Sequence, residues 1–187
     1  MQLFLLFSLA HLLGDYPFQT NWIYNQKIKG PLGTLLHVGI LGVCFAVVLN
    51  YLLTNYAILS SVGIILVIHL IQDYLKIELV SRRKKIAPLL ALILDQVLHF
   101  MLLAIVAWQL DFDNFKISFG DQLTINEPLL SFILIYCITL ILVTFTWDVF
   151  KFVGRKEKTL QHDISDIFAR LTVTTLVFGV VYLVVFL

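Results

Sequence analysis

The feature that most constrains the fold is a series of long apolar stretches that fill most of the chain. A helix needs about 20 apolar residues to cross a bilayer. Six stretches approach that length, at residues 1–25, 31–54, 56–80, 86–110, 128–151 and 165–187. Only 13% of the residues are charged and the mean hydropathy is +0.94, which excludes an ordinary soluble domain. The sequence therefore predicts an all-α, polytopic membrane helix bundle of about six transmembrane helices.

The first four stretches contain an internal repeat. The segment His11-Leu-Leu-Gly-Asp15-Tyr reappears as His69-Leu-Ile-Gln-Asp73-Tyr, 58 residues later. We interpret this as two copies of one helical hairpin in the same orientation, related by an axis along the membrane normal. The predicted single transmembrane domain spans 1–187, with repeated hairpins at 1–54 and 59–112 and an additional helix pair at 128–187.

The basic residues predict an orientation. Most of them follow the first, third and fifth stretches, which share one side of a six-span protein. They are Lys27, Lys29, Lys76, Arg82, Arg83, Lys84, Lys85, Lys151, Arg155, Lys156 and Lys158. The connection 111–127 on the other side is net acidic. Because basic loops stay in the cytoplasm, we expect both termini outside. The formal net charge of +1 gives no reason to expect nucleic acid as a partner.

Ionisable residues inside the first four stretches are the candidate functional residues, since burying them in a membrane is costly. Three His–Asp pairs are spaced four residues apart, which puts both side chains of a pair on one helix face. The third pair has the reversed order Asp–His. Its helix crosses the membrane in the opposite direction to those of the first two pairs, so the His and Asp of all three pairs lie at matching depths. The predicted metal ligands in this layer are His11, Asp15, His37, His69, Asp73, Asp95 and His99.

Imidazole and carboxylate groups together favour a divalent transition metal, with Zn or Mn foremost. The spacing fits two ions that share ligands, or one ion with further carboxylates around it. Gln19, Gln72 and Gln96 flank the layer and are candidate outer partners. Lys76 follows Asp73 by one turn, where it can pair with that carboxylate or hold an anionic substrate group. The alternative is a structural network in which these polar groups only join helices.

Three weaker features carry structural expectations. Pro17 should kink the first helix and free the carbonyl of Leu13. Cys44 and Cys137 lie in apolar runs and are expected to be small buried hydrophobes. The charged groups near the ends of the last two stretches are expected to cap helices or pair with one another. They are Asp148, Asp163, Asp166 and Arg170.

Three segments resemble the signature blocks of a known family: 11–22, from His11 to Trp22; 69–76, from His69 to Lys76; and 94–99, ending at His99. Together they are similar to the bacterial membrane family catalogued as domain of unknown function 3307, over about residues 1–110. The resemblance implies a bacterial cytoplasmic membrane protein and implies no activity. The pattern is also similar to that of membrane-bound metal-dependent hydrolases, by analogy only.

Three functions follow from these patterns. The first is a metal-dependent hydrolase of a lipid or lipid-linked substrate, with Asp95 or Asp73 as general base and Lys76 holding an anionic group. The second is a divalent-cation or proton transporter. The third is a structural membrane subunit. Residues 1–10 offer only Gln2 and Ser8 as polar groups, which favours a pocket open to one side over a continuous pore.

Overall fold

The computed structural model describes residues 1–82, 86–110, 127–155 and 163–186, and all regular structure within them is helical. The helices are α1 Gln2–Asp15, α2 Asn21–Lys29, α3 Pro31–Val48, α4 Tyr56–Ile77, α5 Pro88–Gln109, α6 Glu127–Ile141, α7 Trp147–Arg155 and α8 Ile164–Phe186. Two π-helical segments extend α4 over Glu78–Arg82 and join α6 to α7 over Leu142–Thr146. The predicted all-α membrane bundle is confirmed. The acidic connection 111–126 and the loop cations at 83–85, 156 and 158 lie outside the described residues.

Five helical segments among the described residues are long and apolar enough to cross a membrane. They are Pro31–Val48, Tyr56–Val80, Pro88–Gln109, Glu127–Val153 and Ile164–Val185. These correspond to the second to sixth predicted spans. The expected single helix over 1–25 is instead two helices, because α1 ends at Asp15 after 14 residues. The number of crossings therefore stays a prediction, as do the internal repeat and the orientation.

The break after α1 is caused by Pro17. Proline has no N–H, and its ring excludes the normal helical bond to the carbonyl four residues earlier. That carbonyl belongs to Leu13, as expected, and it accepts instead from the N–H of Phe18 at 3.1 Å. The chain then turns, and Thr20 begins α2 by accepting the N–H of Ile23 on its side-chain oxygen at 3.4 Å. The proline therefore ends the helix rather than kinking it.

Two glycines allow unusually close contacts with α3. A Cβ added to Gly33 would lie 1.9 Å from the carbonyl oxygen of Gln26, so α2 folds back against α3 only because this position has no side chain. A Cβ on Gly14 would lie 2.6 Å from a side-chain atom of Leu41 and 3.2 Å from its Cα. The first contact turns α2 into the bundle, and the second brings α1 close to α3.

Four helices form a closed ring. α1 packs against α3, α3 against α4, α4 against α5, and α5 against α1. Toward one end the ring is filled by an apolar core that includes Phe7, Phe45, Ile65 and Leu103, all at most 2% exposed. The candidate ligands lie beyond this core, toward the end where α2 and the α4–α5 connection are found, which we call the basic end.

The remaining helices pack outside the ring, with α6 on α1, α8 on α6, and α7 on α5. Arg170 of α8 donates to the carbonyl of Thr144 at 2.7 Å and to Asp148 Oδ1 at 2.9 Å. The π-helical segment contains Thr144, so the arginine bonds a carbonyl at an irregular point of the backbone. Asp163 accepts the side-chain hydroxyl and the N–H of Ser165 at the start of α8, and these bonds hold the pKa of Asp163 below its usual range. The expected capping and pairing roles agree with these contacts.

Candidate metal centre

The ring of α1, α3, α4 and α5 brings the predicted ligands together in one buried layer. All are at most 7% exposed: His11, Asp15, His37, His69, Asp73, Asp95 and His99. Within the three pairs spaced by four residues, an imidazole nitrogen lies 3.2–3.7 Å from a carboxylate oxygen of its partner. The spacing of four residues therefore places the two members of each pair side by side on one helix. The packing of the four helices in a ring then brings the separate pairs together.

Four ligand atoms form the tightest part of the layer. His37 Nε2 lies 3.1 Å from Asp15 Oδ1 and 3.4 Å from Asp73 Oδ2. His69 Nε2 lies 3.6 Å from the same oxygen of Asp15 and 3.2 Å from the same oxygen of Asp73. The two imidazole nitrogens are 3.3 Å apart. Ligands bound at about 2.0–2.1 Å in a tetrahedron lie about 3.3–3.4 Å from one another. In this set of four atoms, which we call the quartet, each imidazole nitrogen lies at about that distance from the other nitrogen and from both carboxylate oxygens.

Two groups of three side chains have ligand atoms close enough to hold an ion. One contains His37, His69 and Asp73, and the other contains His11, Asp15 and His69. His69 is common to both. Among the described residues, the buried Nε2 of His11 has no hydrogen-bond partner, although Asp15 Oδ2 lies 3.7 Å away. An unpartnered buried imidazole nitrogen is costly unless something binds it.

His99 and Asp95 lie beside these groups and belong to neither. The His99 ring is 4.2 Å from the His69 ring and stacks on His11 at 5.0 Å, centre to centre. Its Nδ1 is 2.7 Å from the backbone carbonyl of Asp95. Because a carbonyl only accepts, Nδ1 must donate, which leaves Nε2 with a lone pair when the ring is neutral. This arrangement orients metal-ligating histidines, and in the described part of the chain His99 Nε2 has no hydrogen-bond partner.

Lys27 is the residue at this site that sequence reasoning missed. Its position in the chain places it with the loop cations, but the structure buries it to 5% exposure. Its Nζ lies 2.7 Å from Asp73 Oδ2 and donates to Gln19 Oε1 at 2.8 Å. The cause is the return of α2 toward α3 at Gly33, a tertiary contact with no local signal except the glycine itself.

Lys76 and the glutamines surround the layer. Lys76 lies 2.5 Å from Asp95 Oδ2 and 4.0 Å from Asp73 Oδ1, so its main partner is Asp95 rather than Asp73. Gln96 donates to Asp15 Oδ2 at 3.3 Å. Gln19 accepts a hydrogen bond from Lys27, so two of the three expected glutamine partners bond to the site through their side chains. The third, Gln72, has a buried Oε1 with no hydrogen-bond partner among the described residues.

A cavity of about 100 Å³ connects the layer with the basic end of the bundle. Its polar lining is Asp15, Tyr16, Gln19, Asn21, Tyr24 and Lys76. The rest of its wall is apolar and comes from α2, α4, α5 and α7, including Ile28, Leu92 and Phe152. A space of this size holds several water molecules. The layer is thus open through Asp15 toward the basic end, while the apolar core closes it on the opposite side.

Residues 3–126 match the model of a family described as "Protein of unknown function (DUF3307)". All seven predicted ligands and both lysines of the site lie within the matched region, and α6, α7 and α8 lie beyond it. Neither the curated proteins nor the solved structures include a match to the chain.

Proposed function

Since the chain belongs to the DUF3307 family, which brings no activity with it, we propose its function from the site: a membrane protein that binds one or two divalent metal ions in the His/Asp layer and hydrolyses a membrane lipid or lipid-linked substrate. The observation that carries the proposal is the quartet, in which each imidazole nitrogen lies 3.1–3.6 Å from the other nitrogen and from both carboxylate oxygens. Two imidazoles and two carboxylates favour Zn or Mn over metals that prefer sulfur ligands.

The number of ions that the layer can hold depends on how its ligands are divided between the two candidate groups. His37, His69 and Asp73 would hold one ion, with Asp15 Oδ1 as the nearest further oxygen to the two imidazole nitrogens. A second ion would use His11 and the other oxygen of Asp15, with His99 as the nearest further nitrogen donor. Pairs of metal ions serve the hydrolysis of phosphoryl groups in phosphatases and nucleases.

A bound ion would lower the pKa of a coordinated water to about 7 and so provide the nucleophile for hydrolysis. The protein must then remove a proton from that water and hold the substrate. Asp95 suits the general base because it lies next to the layer but in neither ligand group. Asp73 suits it less well, since its Oδ2 belongs to the quartet and lies 3.2–3.4 Å from both imidazole nitrogens. Lys76 lines the cavity beside Asp95, where it can bind an anionic substrate group.

The apolar core argues against a transport path through the bundle. A cation or proton path needs polar groups or water on both sides of the site. Here the cavity opens toward the basic end, and the opposite side is filled by residues such as Phe7 and Phe45, each 0% exposed. A pocket open to one side only gives no continuous path across the bundle, which favours an enzyme over a channel.

The test measures the metal content of the protein purified in detergent without chelators, by inductively coupled plasma mass spectrometry. We expect one or two ions per chain in the natural protein and less than about a tenth of that in the double variant Asp15→Asn, Asp73→Asn. Asp166→Asn is the matched control, since this carboxylate is 57% exposed. If the natural protein holds no metal and Zn or Mn does not raise its melting temperature, the polar layer is a structural network.

Activity is tested on the metal-loaded protein with lipid phosphates and lipid esters in mixed micelles. We expect turnover that a chelator abolishes and that Asp95→Asn lowers by about 100-fold or more with metal content unchanged. Ion flux into liposomes, without turnover, would favour the transporter.

A further inference from the structure

The cavity next to the His/Asp layer has walls of two kinds. Its polar residues come from the end of α1 and the start of α2, with one further residue from α4. They are Asp15, Tyr16, Gln19, Asn21, Tyr24 and Lys76. Every lining residue that α5 and α7 contribute is apolar: Pro88, Ala91, Leu92, Val149, Phe152 and Val153. A pocket that is largely apolar and has a few polar groups to fix orientation is typical of ligand binding.

The apolar wall belongs to the membrane-spanning part of the protein. Its residues lie in Pro88–Gln109 and Glu127–Val153, close to the basic end of these two apolar segments. Water against an apolar wall costs about 25 cal/mol for each Å², and a hydrocarbon group in its place removes that cost. The apolar wall therefore favours a ligand with a hydrocarbon part, and the polar wall favours hydrogen-bonding groups on the same ligand.

A contact between two aromatic rings closes the cavity between α2 and α7. α2 packs against α3. On the cavity side, the ring of Tyr24 meets the ring of Phe152 of α7 edge to face, with ring centres 6.1 Å apart. Both residues line the cavity, and Tyr24 is 37% exposed. Because exposed side chains change rotamer within nanoseconds, this contact can open without movement of the helices.

The surroundings of the ring contact are those of a membrane surface. α2 has nine residues, too few to cross a bilayer, and Gly30 alone joins it to the apolar segment Pro31–Val48. Phe18 and Trp22 are 52% and 61% exposed, as is usual for aromatic residues at the level of the lipid headgroups. A membrane lipid can therefore reach the ring contact from the side.

We infer that the cavity binds the substrate itself, an amphiphile with a hydrocarbon chain next to a hydrogen-bonding head, and that this chain passes between α2 and α7 at Tyr24 and Phe152. The head lies at Asp15 and Lys76, and the first part of the chain lies on the α5–α7 wall. A cavity of about 100 Å³ is too small for a whole lipid, so the rest of the chain stays in the bilayer. The inference rests on the proposed function for the reaction at the head.

The experiment uses the full chain in phosphatidylcholine nanodiscs. The probes are a 1-O-alkylglycerol, with a neutral head, and an alkylphosphonate, with an anionic head. Each has a photoreactive diazirine in its alkyl chain close to the head, and neither has a bond that a hydrolase cleaves. After irradiation, labelled residues are mapped by mass spectrometry.

We expect labelling of the α5–α7 wall to exceed labelling of the exposed α8 residues Val177 and Val180 by about tenfold, as about 1.4 kcal/mol of preferential binding gives. Wall labelling by either probe supports the inference, and the stronger probe identifies the head as neutral or anionic. Equal labelling of the wall and α8 by both probes overturns it.

The substitution Ala91→Trp fills the cavity, because Ala91 lines it and is only 7% exposed. Ala104→Trp is the matched control at an exposed position of the same helix. We expect Ala91→Trp to lower wall labelling by about fivefold or more and Ala104→Trp to leave it unchanged. Equal wall labelling of the two variants would contradict binding in the cavity.

A second test leaves the cavity empty, since a large residue in a packed interior can also disturb folding. Tyr24→Cys and Phe152→Cys are combined in a chain whose Cys44 and Cys137 are changed to alanine, and a short bis-methanethiosulfonate joins the two new thiols. We expect bridging to lower wall labelling by about fivefold or more and reductant to restore it. Methyl methanethiosulfonate, which modifies both thiols without joining them, is the control. Unchanged labelling after bridging would overturn the entry between α2 and α7.

The metal content of the same preparations separates this inference from the proposed function, because labelling needs neither metal nor turnover. Metal-loaded protein with uniform labelling contradicts only the cavity as the lipid site. Metal-free protein with labelling specific to the α5–α7 wall contradicts only the proposed function.

Discussion

Asp73 lies between a lysine and two imidazoles, with less than 2% of its surface exposed. Its Oδ2 forms an ion pair with Lys27 Nζ at 2.7 Å and lies 3.2–3.4 Å from the Nε2 atoms of His37 and His69. A carboxylate bound to a metal is commonly held by an outer partner in this way. Lys27 therefore neutralises the buried charge of Asp73, and on the proposed function it would also position the ligand oxygen of that carboxylate.

The substitution Lys27→Met should destabilise the metal-free protein strongly, by about 3–5 kcal/mol, because it leaves a buried carboxylate without its counter-ion. Added Zn should restore much of the loss, since the ion replaces the missing charge. The measurement is thermal unfolding in detergent with Zn and with chelator. Lys29→Met, an exposed position two residues away, is the control. A similar small effect of both variants in chelator would contradict the buried ion pair.

His69 belongs to both candidate ligand groups, whereas His11 belongs to one. His69→Ala should therefore abolish metal binding, and His11→Ala should leave the ion of the quartet in place. Metal content of the two purified variants checks this, with folding confirmed by circular dichroism. Equal retention of metal in both would show that the ligands are not shared as the geometry indicates.

At the scale of elements, the close contact of α2 with α3 decides which residues enter the site. Gly33→Ala places a Cβ 1.9 Å from the carbonyl of Gln26, so α2 must move and withdraw Lys27. We expect a loss of about 2 kcal/mol or more in unfolding free energy. Gly39→Ala in the same helix meets no atom within 4 Å and should be neutral or stabilising by up to about 1 kcal/mol. Melting temperatures of the two variants compare them directly, and equal values would contradict the close packing of α2.

The helices and their contacts also show which features of the site can be predicted from the sequence. The pairs such as His69 and Asp73 are predictable because a spacing of four fixes their relative position within a helix. Their convergence is predictable from matching depths in neighbouring spans. Lys27 is not, because its burial depends on Pro17 ending α1 and on Gly33 admitting α2, two tertiary consequences of single residues. The π-helical segment at Leu142–Thr146 is equally unpredictable, since its irregular backbone is bonded by Arg170 from another helix.

At the scale of the whole molecule, the described part of the bundle is asymmetric along its axis. The apolar core fills one side of the buried His/Asp layer, and the cavity lies on the other side. On the proposed function, water would therefore reach the layer from the cavity side.

The asymmetry predicts a pattern of accessibility. In a background in which Cys44 and Cys137 are changed to alanine, Asn21→Cys lies at the cavity and Ser8→Cys lies on the apolar side of the layer, where the serine is 2% exposed. A membrane-impermeant maleimide should label Asn21→Cys at least about tenfold faster, because water reaches only that side. Labelling of Asn21→Cys in inside-out vesicles but not in intact cells would place the basic end in the cytoplasm, as the loop charges predict. Rapid labelling of both cysteines would mean that the site opens to both sides in turn, which is the behaviour of a transporter and not of the one-sided pocket.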